Sequence, residues 1–186
     1  MIRRNKNTRT YAAAALAACL TIAVSAHAAL VGIGESETAF RAVGPGGLKI
    51  EGKGKGVKAS EAGGVLTVSA PVNNLKTGMS LRDDHLKKAI HADKYPTASL
   101  SVKRSELKFP ADQKTEKGSA TGTFKLNNVS QPVKFEYQVK RTGSDYHVQG
   151  RTTLDITKFK IEKPCYLGVC VDETVQVKTN FKVREQ

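Results

Sequence analysis

The sequence predicts an all-β fold, an eight-stranded antiparallel up-and-down (lipocalin-like) barrel with one short amphipathic helix at about residues 80–91. Three observations lead to this prediction. Apolar and polar residues alternate along most of the chain, a pattern typical of antiparallel strands with one dry and one wet face. Breaks rich in glycine, proline and asparagine divide the alternation into about eight segments. Most links are short enough for neighbouring strands to pair as hairpins.

The alternation is clear in residues 133–139, where Val, Phe, Tyr and Val are separated by Lys, Glu and Gln. In the second segment, Gly52, Gly54 and Gly56 predict a bend or bulge, as a closing sheet requires. Eight strands of moderate length fit a closed barrel that can hold one ligand. The expected strands lie near residues 36–43, 46–58, 64–74, 96–109, 116–126, 131–142, 145–158 and 171–184.

Residues 80–91 have helical rather than alternating spacing. Ser80 and Asp83 have the spacing of a capping box. Asp83 with Lys87, and Asp84 with Lys88, form i,i+4 pairs in the favourable order. A short helix against one end of the barrel is therefore expected, and its apolar face consists of Leu86, Ala89 and Ile90.

Residues 1–28 are predicted to be a cleaved secretion signal. Four basic residues precede an uncharged run over residues 12–24, and Ala26-His27-Ala28 is a small-x-small cleavage site. Cleavage after Ala28 would leave a single domain, residues 29–186, in the periplasm or secreted. In the alternative, residues 16–19 act as a lipoprotein box and the mature protein is anchored at a lipidated Cys19.

The domain after the signal is basic. Residues 1–28 contain four of the 30 basic residues and none of the 17 acidic ones, so the remainder carries a net charge of +9. Export argues against nucleic acid as the partner, and an anionic envelope surface suits the charge better. The alternative is a solvated basic surface without a partner.

Cys165 and Cys170 remain after cleavage, and an oxidising compartment favours a disulfide between them. A redox-active pair would more often be Cys-x-x-Cys at the start of a helix. A zinc site would need further ligands close by. A structural disulfide is therefore the favoured interpretation.

Three motifs resemble the YceI-like family of exported polyisoprenoid-binding proteins. The first combines Leu-Arg-Asp-Asp-His-Leu at 81–86 with Lys-Tyr-Pro-Thr-Ala at 94–98. The second is Gly-Thr-Phe-Lys-Leu-Asn-Asn-Val-Ser-Gln-Pro-Val at 122–133, and the third, weaker one lies at 155–161. The resemblance implies a lipocalin-like barrel with a long apolar tunnel that accommodates an isoprenoid chain.

The sequence offers no catalytic, metal or cofactor site. There is no Gly-x-Ser-x-Gly elbow, and no pair of carboxylates stands out among the scattered acids. His85 and His91 would lie on different sides of a helix, and His147 is expected to face solvent. We therefore expect a binding protein that is not an enzyme.

The expected ligand is an isoprenoid-like (polyprenyl or quinone-type) or amphipathic lipid held in the barrel. Its headgroup is expected near Arg82, His85, Lys87 or Lys88. The alternative is a structural or stress-related envelope protein whose barrel is packed. A homodimer is possible in either case. The candidate lining residues are Phe40, Leu48, Ile50, Leu66, Val68, Leu86, Ile90, Leu100, Val102, Phe124, Leu126, Phe135, Tyr137, Val148, Leu154, Ile156, Phe159, Val177 and Phe181.

Overall fold

The computed structural model describes residues 28–166 and 169–186. The cleaved signal and the alternative lipidated Cys19 lie outside the described residues, so both stay predictions. Within the described part of the chain, no helix has the length and apolar character needed to cross a bilayer.

The structure is a closed antiparallel barrel. The sheet has the strand order β11-β8-β7-β6-β5-β4-β3-β1-β2, and pairing of β1 with β11 closes it. β2 and β3 both pair with β1 and together form one bent strand, so the barrel has eight strands, as predicted. The strands are β1 Leu30–Val43, β2 Lys49–Lys55, β3 Lys58–Ala62, β4 Val65–Pro71, β5 Thr97–Lys103, β6 Thr115–Leu126, β7 Val129–Thr142, β8 Asp145–Asp155, β9 Cys165–Tyr166, β10 Val169–Cys170 and β11 Thr174–Glu185.

Several strands differ from their predicted bounds, and β5 ends at Lys103 rather than at 109. The segment expected at 46–58 is divided because Gly56 adopts a positive φ of 89°, which turns the chain between β2 and β3. The first strand begins earlier, at Leu30, and its register with β11 shifts between Ile33 and Glu37. The last strand begins at Thr174 rather than at 171. Alternation defines the dry face well but does not show where pairing starts.

The two faces of β7 follow the sequence pattern. Phe135, Tyr137 and Val139 are buried inside the barrel, whereas Lys134 and Lys140 are exposed outside. The strand is joined to β6 by a two-residue turn, Asn127–Asn128. Both residues have positive φ, 50° and 59°, as a type I′ hairpin turn requires.

Helix α1, Ser80–Ala89, joins β4 to β5, but its predicted capping box is wrong. Met79 is the N-cap residue and Ser80 is the first helical residue, so Asp83 lies one position too far along for the box. Its carboxylate instead accepts hydrogen bonds from the Thr77 amide and hydroxyl, both at 2.7 Å. These bonds lower the pKa of Asp83. Asp83 also pairs with Lys76 at 3.6 Å.

The predicted i,i+4 ion pairs of the helix are also wrong. Within the described residues, no ion pair within 4 Å joins Asp83 to Lys87 or Asp84 to Lys88. Asp83 points inward, where its side chain is only 7% exposed, so it cannot reach the outer surface of the helix.

The predicted disulfide between Cys165 and Cys170 is present. It links β9 to β10 in a small hairpin, with the two Cα atoms 4.0 Å apart. The hairpin belongs to the connection between β8 and β11. Asp172 in that connection donates its amide to the Val43 carbonyl at 2.7 Å, so the connection is tied to the end of β1.

Candidate functional site

A cavity of about 890 Å³ lies inside the barrel. Residues of two clusters of buried apolar side chains line it, among them Val183 of one cluster and Ile161 of the other. Each of the candidate interior residues lines this cavity except Phe159, which lies behind the wall with its ring against that of Phe124. Contact with a lipid remains a prediction for all of them.

The cavity is elongated along the barrel. Its lining includes Val133, Phe135, Tyr137 and Val139 of β7, which span seven residues, or six residue-to-residue steps, of one strand. At about 3.4 Å per residue this is roughly 20 Å along the strand, or about 15 Å along the axis of a barrel whose strands are tilted by about 40°. The space is therefore long enough for an extended apolar chain.

Two glycine–aromatic pairs shape the wall. Phe40 lies opposite Gly52 in the β1–β2 register, and a Cβ on Gly52 would clash with the Phe40 ring. Tyr137 lies opposite Gly118, where a Cβ would come within 2.5 Å of the tyrosine hydroxyl. In each pair the ring covers the glycine and lies flat along the wall. The missing side chains thus leave room for aromatic rings that would otherwise project into the cavity.

One end of the cavity is closed. Arg104 forms ion pairs with Glu61 at 2.8 Å and Glu185 at 2.7 Å, and its guanidinium stacks on Phe109. Burial alone lowers the pKa of Arg104, but hydrogen bonds to the two carboxylates outweigh it and raise the pKa. The Tyr137 hydroxyl accepts a hydrogen bond from the Lys108 amide at 2.7 Å, which ties the β5–β6 connection across this end.

The other end is the mouth of the cavity. Leu48, Met79 and Leu81 line the cavity, yet these residues are 53%, 55% and 57% exposed. They lie on the β1–β2 turn and at the start of α1. Backbone hydrogen bonds between Lys53 and Lys76, at 2.9 and 2.8 Å, hold the segment before the helix against β2.

The mouth contains three of the four predicted headgroup residues. Arg82, His85 and Lys88 line the cavity, whereas Lys87 does not. Two cationic side chains and an imidazole therefore border the opening of an otherwise apolar space. A ligand with an apolar tail and a polar or anionic head suits this arrangement.

Asn127 is a residue whose role sequence reasoning missed. Its buried side-chain amide donates to the Phe159 carbonyl at 3.0 Å and the Lys160 carbonyl at 3.3 Å. Its Oδ1 therefore accepts from His91 Nδ1, 3.1 Å away, which assigns the proton to that nitrogen. The end of α1 is thus joined to the β6–β7 turn and to the segment after β8. The sequence indicated only the turn, because all three partners are distant along the chain.

The shifted pKa values of two further carboxylates come from hydrogen bonds to structural partners. The pKa of Asp145 is lowered by the hydrogen bond from Arg184, and that of Asp155 by the Thr157 hydroxyl. Neither carboxylate lines the cavity. Among the described residues, no three His, Cys, Asp or Glu side chains come together in a way that could hold a metal ion.

Together, the closed sheet and its hollow interior define the class, an eight-stranded antiparallel barrel with a cavity that opens beside a short helix. The sequence matches the YceI-like domain over residues 28–183, and the chain therefore belongs to the YceI-like family. None of the curated proteins matches it.

Two solved structures have a similar fold. A polyisoprenoid binding domain from Saccharophagus degradans implicated in plant cell wall breakdown has 12% sequence identity and a TM-score of 0.70, covering 86% of this chain and 99% of that chain. BcnA from Burkholderia cenocepacia has 14% identity and a TM-score of 0.60, covering 79% of this chain and 95% of that chain. At these identities the likeness shows the fold alone.

Proposed function

We propose that this protein binds an isoprenoid-like or other amphipathic lipid, with the lipid tail inside the barrel. The observation that carries this proposal is the cavity of about 890 Å³ bordered by cationic side chains at its mouth. A packed barrel would have no such space. Membership of the YceI-like family and the similar fold of a polyisoprenoid binding domain give further support.

Burial of the tail would supply the affinity. Each methylene transferred from water into an apolar site gains about 0.8 kcal/mol, so a five-carbon isoprene unit gains about 4 kcal/mol. Association costs about 4 to 15 kcal/mol. Two or more buried units are therefore needed before binding becomes favourable, and affinity is expected to rise with chain length until the cavity is filled.

The helix would hold the headgroup. Arg82 and Lys88 border the mouth, so either ammonium or guanidinium group can approach a phosphate or another polar head while the tail stays inside. Lys87 is on the same helix and carries the same charge, but it does not line the cavity. The proposed headgroup contacts are therefore specific to one side of α1.

The compartment belongs to the proposal as well. The signal-like residues 1–28 support export to the periplasm or the exterior, where the protein would sequester or carry its lipid. It would act by binding, without a catalytic step.

The test begins with the protein purified from the envelope of its native host. Native mass spectrometry, followed by solvent extraction, is expected to show a stoichiometric lipid adduct. Delipidated protein is then titrated with geraniol, farnesol and geranylgeraniol, and affinity should increase along the series. The proposal would be contradicted if the purified protein had no lipid adduct and bound none of the three alcohols and no added quinone.

The headgroup contacts need a second titration with a prenyl phosphate. Replacing both Arg82 and Lys88 with Ala should weaken binding at least tenfold, since each charge-assisted contact contributes about 1.5 to 3 kcal/mol. Lys87→Ala is the matched control and should leave the affinity unchanged. The double variant removes two charges and Lys87→Ala removes one, so a loss of binding free energy in Lys87→Ala half as large as in the double variant would show that only the overall charge matters.

A further inference from the structure

Three large apolar side chains are exposed together at the mouth of the cavity. Leu48, Met79 and Leu81, called here the apolar rim, are each more than half exposed. The remaining exposed large apolar residue in the described part of the chain, Val65, lies in the β3–β4 hairpin at the opposite end of the barrel. Clustered apolar exposure of this kind marks an interaction surface, whereas an isolated exposed side chain does not.

The rim is made by two segments that are fixed to each other. Leu48 precedes β2, and the antiparallel bridge between Lys53 and Lys76 places the approach to α1 beside that strand. Met79 and Leu81 follow within five residues of the bridge. Because all three rim residues also line the cavity, an object that covers the rim would also cover the opening.

Basic residues accompany the rim. Lys49 follows Leu48, Arg82 follows Leu81, and Lys88 lies on the same helix. Of the two acids in α1, Asp83 is turned inward and paired with Lys76, which leaves Asp84 as the exposed acid of the helix. A cationic border around apolar side chains is complementary to an anionic lipid surface, which gains about 1 kcal/mol for each nearby Lys or Arg.

We propose that the mouth of this barrel docks on an anionic lipid bilayer, an inference that rests on the proposed lipid binding. The apolar rim would enter the boundary between headgroups and acyl chains, and Lys49 and Arg82 would contact lipid phosphates. The lipid tail would then pass between bilayer and cavity without crossing water. The protein would thus collect or deliver its ligand at the membrane surface.

The test uses co-sedimentation with vesicles of phosphatidylethanolamine and phosphatidylglycerol, compared with pure phosphatidylcholine. The wild-type protein should bind the anionic vesicles, and its binding should weaken as salt is raised. Replacing Leu48, Met79 and Leu81 together with Gln should reduce the partition coefficient roughly a hundredfold, since apolar burial drives insertion. Val65→Gln is the matched control at the opposite end and should bind vesicles like the wild type.

Two further measurements separate docking from ligand binding. Farnesol titration in vesicle-free solution reports the cavity separately, because the rim residues also line it and their replacement can weaken farnesol binding. Docking predicts that delipidated wild-type protein binds anionic vesicles with no farnesol present, and that the triple substitution removes this binding. Thermal unfolding checks that the variant is folded. If farnesol does not bind the wild-type protein at all, the proposed function fails instead of the docking surface.

Docking itself is overturned if the wild-type protein ignores both kinds of vesicle, or if the triple variant and Val65→Gln bind them equally well. Sedimentation velocity tests the alternative, in which the apolar rim binds a second copy of the chain. If the triple substitution abolishes self-association and leaves vesicle binding unchanged, the rim is a dimer interface and the bilayer inference is wrong.

Discussion

Placing a phenylalanine inside the barrel tests directly whether the interior is hollow. Ala70 is on β4, pairs with Ala98 on β5, and lines the cavity. An Ala70→Phe substitution would extend a benzene ring into this space. The neighbouring residue on the other face of β4 is Ser69, which does not line the cavity. Ser69→Phe is therefore a matched control that places the same ring outside.

The expected magnitude follows from the size of the cavity. A benzene-sized group fits in about 150 Å³, or about a sixth of the 890 Å³ available. The free energy of unfolding should then change by no more than about 1 kcal/mol, whereas overpacking a filled core would cost about 1 to 3 kcal/mol. The ring displaces about six ligand carbons, equivalent to at most about 5 kcal/mol of burial.

The assay combines urea denaturation with isothermal titration of the three prenyl alcohols. We expect affinity for the longest alcohol to fall between about tenfold and a thousandfold, with a smaller loss for geraniol, which can use the remaining space. A large destabilisation by Ala70→Phe, absent from Ser69→Phe, would refute the hollow interior. A folded variant with unchanged affinity for all three alcohols would show that ligands do not use the cavity.

Three other predictions concern the structure around the cavity. Asn127→Gly keeps the positive φ of the turn but removes three hydrogen bonds, so urea denaturation should show a loss of about 2 to 3 kcal/mol. Arg104→Ala leaves the buried Glu61 carboxylate without its cationic partner, and chemical denaturation should show a loss of about 3 kcal/mol. The lowered pKa of Asp83 stabilises the fold above the unfolded-state pKa of about 3.9, and this stabilisation is lost as pH falls through the folded-state pKa. Asp83→Asn should therefore reduce the difference in Tm between neutral and acidic pH.

Each of these variants has a second variant that serves as its control. Asn128→Gly creates the Asn-Gly pair favoured in type I′ turns. A loss of stability equal to that of Asn127→Gly would therefore contradict the role assigned to the hydrogen bonds of the Asn127 side chain. Arg151→Ala breaks a mostly exposed ion pair and should cost less than about 1 kcal/mol. Asp84→Asn changes an exposed acid on the same helix as Asp83. If both Asp variants shift the acid profile equally, the bonds from Thr77 are not responsible.

The sequence determined the fold class because a strand with one buried face has an apolar side chain at every second residue. In β7, the buried Phe135, Tyr137 and Val139 are the residues that the alternation indicates. The same reasoning gave the eight strands, the single helix and the disulfide, all of which depend on neighbours close along the chain. It could not give the first strand's true start at Leu30, since pairing with β11 decides it.

Helix α1 shows that the spacing of residues in the sequence does not by itself predict which side chains pair. Ser80 and Asp83 have the spacing of a capping box, but Thr77 offers the Asp83 carboxylate two donors and Lys76 a positive charge. These contacts turn the carboxylate inward, and the helix begins after Met79. Sequence spacing specifies which groups could meet in a regular helix, but it does not include the competing partners supplied by the preceding loop.

Alternation by itself determined which side chains face inward, but only the tertiary structure decided that they surround a space. A packed core and a lined cavity require the same apolar residues at the same positions. The difference lies in how far apart opposite walls stand, and in pairs such as Phe40 with Gly52 that lay rings along the wall. The packing of α1 against the mouth also decided that Arg82 and Lys88 line the cavity and Lys87 does not. Such distances depend on strand number, tilt and register together, which no local pattern in the chain contains.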